Sequence, residues 1–465
     1  MIAPATRRTS TNTKAAVREA VAVSLGVILV SAAFLLPHLN LHSLATTPLI
    51  HVTPKRFVSL AGMAPIFGWW EVHGGWGTVA AVVLGLVAVR WAPQVAQRLP
   101  WPALTLLTWL TSALWAFSLA MIDGWQRGFA GRLTAEHEYL RQVPTITDIP
   151  QALRTFASRI PDYQPHSWIT HVSGHPPGAL LTFVWLDRIG LGGGAWAGTL
   201  CLLAGSSAAV AVIVTLRAVS DETTARMAAP FLALAPTAIW VAVSADGYYA
   251  GVAAWGVALL ALATRSHSWK SVGLGAGAGL VLGWAIFLNY GLALMSLLAV
   301  AVLVCAYDWR SGVRALVPAV LSALGVVAVF AIAGFWWFDG YVLVQQRYWQ
   351  GIARDRPFQY WVWANLASVV CAIGLGSLAG IGRVFDIDCL RRRSGLHVLV
   401  IAAMAAIVAA DLSQLSKAET ERIWLPFTVW LTAAPALLPV RSQRWWLAVN
   451  IVGALAVNSL IFTNW

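Results

Sequence analysis

Four short polar clusters carry nearly every group able to do acid–base or anion-binding work in an otherwise apolar chain. The first is Asp123-Gly124-Trp125 with Arg127 close behind, at the end of a long apolar run. A carboxylate at the mouth of a membrane helix is costly unless it meets water, a cation or a substrate, and a plain interfacial charge is the simpler alternative. The second pairs His137-Glu138-Tyr139 with His171-Val172-Ser173-Gly174-His175-Pro176-Pro177-Gly178. Two prolines in a row fix an extended lead into the next helix. On a regular helix His171 and His175, four apart, would offer two imidazoles to one metal, but Gly174 and the prolines argue against such a helix. A zinc pair is therefore the lesser reading.

The third cluster, Ser244-Ala245-Asp246-Gly247-Tyr248-Tyr249, again sets an acid at the end of an apolar run. In the fourth, Lys417, Glu419, Glu421 and Arg422 charge four of six positions directly before Trp424-Leu425-Pro426-Phe427. An arginine there can grip a phosphate bidentately. Snorkelling and mutual salt bridging at the interface compete with that reading. Trp336, Trp337, Tyr348, Trp349, Tyr360, Trp361 and Trp363 read as an interfacial aromatic belt.

The elements that position these groups follow from composition. Hydrophobic residues make up 59% of the 465 positions and charged residues 11%. A soluble domain is about a quarter charged, so much of this chain is solvated by hydrocarbon. The net charge of +12 does not point to nucleic acid. The basic residues sit at the ends of apolar runs, as the positive-inside rule requires, and suit anionic lipid headgroups. Arg7, Arg8, Lys14 and Arg18 precede an apolar run reaching Leu36 with no A-x-A-like cleavage site, which reads as an uncleaved first span. Cys201, Cys305, Cys371 and Cys389 lack CxxC spacing and read as small, inert buried thiols.

The pattern predicts an all-α, polytopic transmembrane helical bundle of about thirteen spans. They are Ala20–Leu36, Gly77–Arg90, Pro102–Ile122, Ala195–Leu216, Ala229–Val243, Tyr248–Ala263, Val272–Leu288, Gly291–Ala306, Ala315–Phe335, Trp361–Gly380, Leu396–Ala410, Trp424–Pro439 and Trp445–Ile461. Pro176–Leu186 is too short to cross and reads as re-entrant or interfacial. With the N-terminus cytoplasmic, every inner loop is then basic and all four polar clusters share the outer face. The long loop 123–175 is expected to hold surface helices such as Gln151–Ile160. Residues 1–100 read as a tail and two extra spans, 101–440 as the core, and 441–465 as the last span.

The order of these motifs resembles the GT-C glycosyltransferase superfamily. More narrowly it is similar to the protein-mannosyltransferase and aminoarabinose-transferase type, and to actinobacterial cell-envelope mannosyl- and arabinofuranosyltransferases. The resemblance spans about Pro102 to Phe427 and rests on motif order, since each motif alone is weak. It implies that Asp123 is the catalytic acid opening the first large outer loop and Asp246 the second outer acid. It also matches His175-Pro176-Pro177 to the family's His-Pro-Pro and Arg422 to the arginine near the donor phosphate. The chain departs from the pattern in reading Asp-Gly where the family has Asp-Glu, in its two extra spans, and in lacking a soluble C-terminal domain.

The implied activity is transfer of a sugar from a polyprenyl-phosphate donor to an extracytoplasmic glycan, lipid or protein acceptor by a multi-pass protein of the cell membrane. Asp123 and Asp246 would be catalytic. Arg127, Glu138, His171, His175, Lys417, Glu421, Arg422 and Trp424 would bind substrate. No cofactor is required by the motifs, and a divalent cation is left open. A multi-span transporter or lipid flippase is the competing class, for which Gly-rich Gly273–Gly283 could mark a broken helix. A non-catalytic scaffold would leave the outer acids without a job.

Overall fold

The computed structural model describes residues 5–39 and 64–463, and is almost wholly helical over them. Among the described residues seven helices are long and apolar enough to cross a membrane: Thr13–Leu35, Trp76–Arg98, Trp101–Ala120, Gly194–Val219, Ala245–Arg265, Trp309–Ile332 and Gly395–Leu412. An eighth span is added if the bent pair Phe358–Ile373 and Leu375–Val384 counts as one.

These criteria do not reproduce the thirteen spans read from the sequence, because several apolar runs are broken. The run read as Trp361–Gly380 turns through 108° at Gly374. There the backbone takes φ +78°, a left-handed conformation comfortable for glycine, and Asn450 Oδ1 accepts the amide of Gly376 at 2.7 Å. The run read as Ala229–Val243 becomes Glu222–Ala233, a break around Pro236, and one turn at Ala238–Val241. Trp424–Pro439 reduces to Leu425–Leu431 and a tight turn at Ala434–Leu437. Apolar content alone cannot distinguish one long helix from two short ones.

Pro177–Arg188 is a helix of 12 residues, about 18 Å long at the usual rise and too short to cross. Gly273–Gly283 lies inside the unbroken helix Ser268–Ile286. Its glycines form a packing seam: a Cβ on Gly279 would sit 1.9 Å from the carbonyl oxygen of Ala319 on Trp309–Ile332. Small residues four apart let helices approach this closely, which is a packing role and no sign of a broken transport helix.

The stretch 123–175 folds as short turns over one end of the bundle. The amphipathic piece read as Gln151–Ile160 is a six-residue helix, Ile149–Arg154, followed by a turn at Ala157–Arg159. Asp148 caps it by accepting the Gln151 amide at 3.0 Å. A 14-residue helix, Trp337–Gln350, packs over the same end, tied through Asp162, whose amide donates to Gln350 Oε1 at 2.7 Å. Trp336 and Trp349 are exposed as an aromatic belt requires. Tyr360 and Trp361 are buried, so they belong to the core instead.

Candidate functional site

Two polar clusters gather at the end of the bundle covered by residues 123–175. The first forms around Asp123, where the helix Trp101–Ala120 runs out. The strand Gly68–Trp70 pairs antiparallel with Ile461–Thr463, and His73 donates its amide to the Ser459 carbonyl at 2.9 Å. This chain then presses against the end of the Asp123 helix, where a Cβ on Gly77 would lie 2.2 Å from the Ser118 carbonyl oxygen. The close approach brings His73 Nε2 to 2.6 Å from Asp123 Oδ1, and Arg132 Nη2 lies 3.4 Å from Oδ2.

The other nitrogen of His73, Nδ1, is 2.6 Å from the Glu71 carbonyl oxygen, which can only accept. Both ring nitrogens therefore face oxygen atoms, an arrangement that favours the protonated ring. Its hydrogen bond to Asp123 raises its pKa above the ordinary histidine value, against the opposing effect of burial. At the rim, Glu71 pairs with Arg127 at 2.8 Å, and Arg127 lies over the Phe462 ring.

The second cluster is deeper. Asp246 sits in the first turn of Ala245–Arg265, whose N-terminus is capped by Ser244 Oγ accepting the Gly247 amide at 3.1 Å. Arg422 Nη1 reaches Asp246 Oδ2 at 2.6 Å, and Asp246 Oδ1 has no hydrogen-bond donor among the described residues. Asp246 is 1% exposed and Arg422 5%. Glu419 bridges two arginines, with Oε2 at 3.1 Å from Arg422 Nη2 and Oε1 at 3.1 Å from Arg356 Nη2.

On the other side Glu138 Oε1 lies 3.0 Å from His171 Nδ1. Burial pushes the Glu138 carboxyl up, but the charge and hydrogen bond of His171 and the charge of Arg422 outweigh it, leaving it below the ordinary value. His175 Nδ1 is 2.8 Å from the His171 carbonyl oxygen and 2.7 Å from the Tyr139 hydroxyl, which also accepts from the Tyr249 hydroxyl at 2.9 Å. A carbonyl only accepts, so Nδ1 carries the proton, and Nε2 makes no hydrogen bond to a described residue. Burial pushes His175 down to about 4, so the ring is neutral.

The structure thus brings together Asp246, Arg422, Glu138, His171 and His175 from four separate stretches of chain, with Asp123 in the neighbouring cluster. Arg132 links the two, because its guanidinium feels the charges of both Asp123 and Glu138. Arg127 stands at the exposed rim. Lys417 points elsewhere: its Nζ donates to the Arg356 carbonyl at 2.8 Å and sits over the Trp349 ring. Glu421 is fully buried and turned away, accepting the Phe67 amide at 2.8 Å and Ser368 Oγ at 2.7 Å. Trp424 is buried in the apolar core, with Nε1 donating to Ser416 Oγ at 3.3 Å.

Sequence reasoning missed Arg132, Arg356, Glu419 and the pairing of His73 with Asp123. Glu419 stood inside the charged run, and Arg356 was hidden among aromatics read as belt.

The divalent cation left open by the sequence finds no donor set here. Among the described residues no three or more His, Cys, Asp or Glu side chains converge as metal ligands. The acids of both clusters face basic groups of the protein instead: Asp123 faces His73 and Arg132, Asp246 faces Arg422, and Glu138 faces His171.

An apolar groove of about 410 Å³ opens between helices, lined by Gly251, Val252, Trp255, Leu280 and Trp284. Gly251 is five residues along the helix from Asp246, about 7.5 Å at the usual rise. Trp284 Nε1 donates to the Tyr248 hydroxyl at 3.2 Å, and the groove opens on the side of the Ala245–Arg265 helix turned away from Asp246.

No protein-family model matches the chain, and no curated protein matches it. Among solved structures, the chain is similar to the apo oligosaccharyltransferase of Archaeoglobus fulgidus, with a TM-score of 0.50 and 13% sequence identity. That alignment covers 77% of this chain and 56% of the archaeal one, so the chain spans little more than half of that protein's length. The same archaeal protein in complex with an inhibitory peptide and a dolichol-phosphate aligns with a TM-score of 0.44 and 14% identity, over 77% and 56% of the two chains. The likeness to the apo structure is one of fold alone.

Proposed function

We propose that this chain is a membrane glycosyltransferase that moves a sugar from a polyprenyl-phosphate donor to a hydroxyl-bearing acceptor at the extracytoplasmic face. The observation that carries the reading is the convergence of Asp246, Arg422, Glu138 and His171, with Asp123 beside them, at one end of an apolar bundle. Buried charge at membrane depth is costly and marks function. The shared fold with an oligosaccharyltransferase supports the same class of reaction.

In this mechanism the acceptor oxygen attacks the anomeric carbon while the bond from that carbon to the phosphate oxygen breaks. The polyprenyl phosphate leaves with the bonding electron pair. Asp123 takes the acceptor proton as general base, oriented by His73 and Arg132. Arg422 stabilises the charge that develops on the departing phosphate, and Asp246 holds that guanidinium in place. The acceptor is a glycan, lipid or protein of the cell envelope.

The test is release of polyprenyl phosphate when purified protein in lipid nanodiscs meets a panel of polyprenyl-phosphate sugars and hydroxyl acceptors. Release that depends on Arg422 is expected. A protein that releases none from any donor, yet moves lipid between leaflets, is a flippase.

A further inference from the structure

Glu419 has no place in the transfer step, yet it holds the most constrained position near the site. Its backbone takes φ +62°, directly after Ala418 at +68° and five residues after Gln414 at +61°. Non-glycine residues rarely adopt this left-handed conformation, and clusters of them persist where the surroundings enforce them. The enforcing contacts are clear. Arg356 Nη1 donates to the Lys417 carbonyl at 2.5 Å, Lys417 Nζ donates back to the Arg356 carbonyl at 2.8 Å, and Asn365 Oδ1 accepts the Ala418 amide at 3.1 Å. The result aims the Glu419 carboxylate between two guanidinium groups, one oxygen to each at 3.1 Å.

Arg356 and Arg422 are each 5% exposed, while the Glu419 side chain is 17% exposed. Glu419 is therefore the most accessible of the three side chains in a buried two-arginine cluster. Burial raises the carboxyl, and the charges of Arg356 and Arg422 more than offset this, so it is held below the ordinary value and stays ionised. Two guanidinium forks spaced to hold one planar anion by separate oxygens also suit a phosphate.

Resting on the donor reading above, we propose that Arg356 and Arg422 form the seat for a lipid-linked phosphate and that Glu419 is a built-in plug occupying it. A phosphate entering from the membrane side displaces the carboxylate toward solvent. The freed polyprenyl phosphate carries more negative charge than the phosphodiester donor, and the returning carboxylate competes with it for the same two arginines, which favours product release.

The test measures binding of undecaprenyl phosphate to the full chain in neutral nanodiscs, with undecaprenol and inorganic phosphate as further probes. Glu419→Gln and Glu419→Gly each remove the competing charge, and glycine fits the left-handed backbone, so that variant relieves strain and keeps the fold. Both are expected to bind undecaprenyl phosphate about tenfold tighter than wild type, the size of one charge-assisted contact, with undecaprenol binding unchanged. Arg356→Gln should weaken lipid-phosphate binding about tenfold. A gain for undecaprenyl phosphate alone marks a lipid-linked ligand, and a matching gain for inorganic phosphate places the recognition in the phosphate itself. Equal or weaker binding by both Glu419 variants overturns the plug. Sugar transfer that persists in that case leaves the transferase reading standing. Tighter binding in a protein that transfers no sugar keeps the seat and sinks the transferase reading.

Discussion

His73 and His175 stand in adjacent clusters and are driven in opposite directions. His73 is pinned between a carboxylate and a carbonyl oxygen, so hydrogen bonding to the charged form outweighs burial and the pKa is raised. His175 is closed among Tyr139, Tyr249 and Phe183-stacked Tyr139, with only one ring nitrogen engaged, so burial wins and the ring is neutral. Asp246 is near enough to pull His175 up, but the nearby charges of Arg422 and His171 push the other way. The same residue type, at one end of one bundle, is therefore drawn toward its charged form in the first cluster and kept neutral in the second. Under the proposed function this difference fits a division of labour, in which the shallow Asp123 cluster would handle protons and the deep Asp246 cluster would hold charge on the donor.

The largest expected effect comes from unbalancing the deep cluster. Asp246→Asn takes from Arg422 its shortest ion pair, and breaking a buried pair by removing one partner costs about 3–5 kcal/mol. Denaturant or thermal unfolding in a fixed lipid composition measures the loss. Asp246→Asn combined with Arg422→Met should recover part of it. A loss no larger than that of the shallow Asp123→Asn variant would remove the distinction between the clusters.

The two histidines give a sharper comparison because their signs differ. The His175 ring, held at about 4, refuses a proton that the unfolded chain accepts near 6.5, so stability falls as pH drops from 6.5 to 4, by up to about 3 kcal/mol. The His73 ring is raised, so its contribution is present below pH 6.5 and lost as pH rises through the folded value. Melting of His175→Gln against wild type should therefore show a flattened acid limb. His73→Gln should lose stability at pH 6 and converge with wild type at alkaline pH. Slopes of the same sign would contradict the assigned protonation states.

The smallest effect belongs to the rim. The Arg127 side chain is 51% exposed, and its ion pair with Glu71 is a surface pair, worth about 0–1 kcal/mol. Arg127→Ala should shift melting by little and change transfer by less than any variant of Asp123 or Asp246.

Much of the site was legible in the sequence as residue types at the ends of apolar runs, because membrane solvent makes every such charge conspicuous. Asp123, Asp246 and Arg422 stood out on that ground, and Glu138, His171 and His175 as a cluster in the long polar loop between two apolar runs. Their partners did not. Asp246 and Arg422 are 176 residues apart, and no local pattern encodes such a contact. Glu421 and Glu419 look equivalent in the run, yet one turns to Phe67 and Ser368 while the other faces two arginines. The left-handed backbone at 418 and 419 decides this, and neither alanine nor glutamate announces it. The helical class followed from composition, but the bend at Gly374 did not, since a glycine inside an apolar run is equally at home in a packing seam such as Gly279.

The most direct test of the division of labour is single-turnover transfer by Asp123→Asn with the polyprenyl-phosphate sugar already bound. Asparagine keeps the size of the side chain and removes its ability to accept a proton. Donor affinity should equal that of wild type while the transfer rate falls about 10²–10⁴-fold, the usual worth of general-base assistance. Transfer at the wild-type rate, or a loss that lies wholly in donor affinity, would contradict the account and move the base to another group.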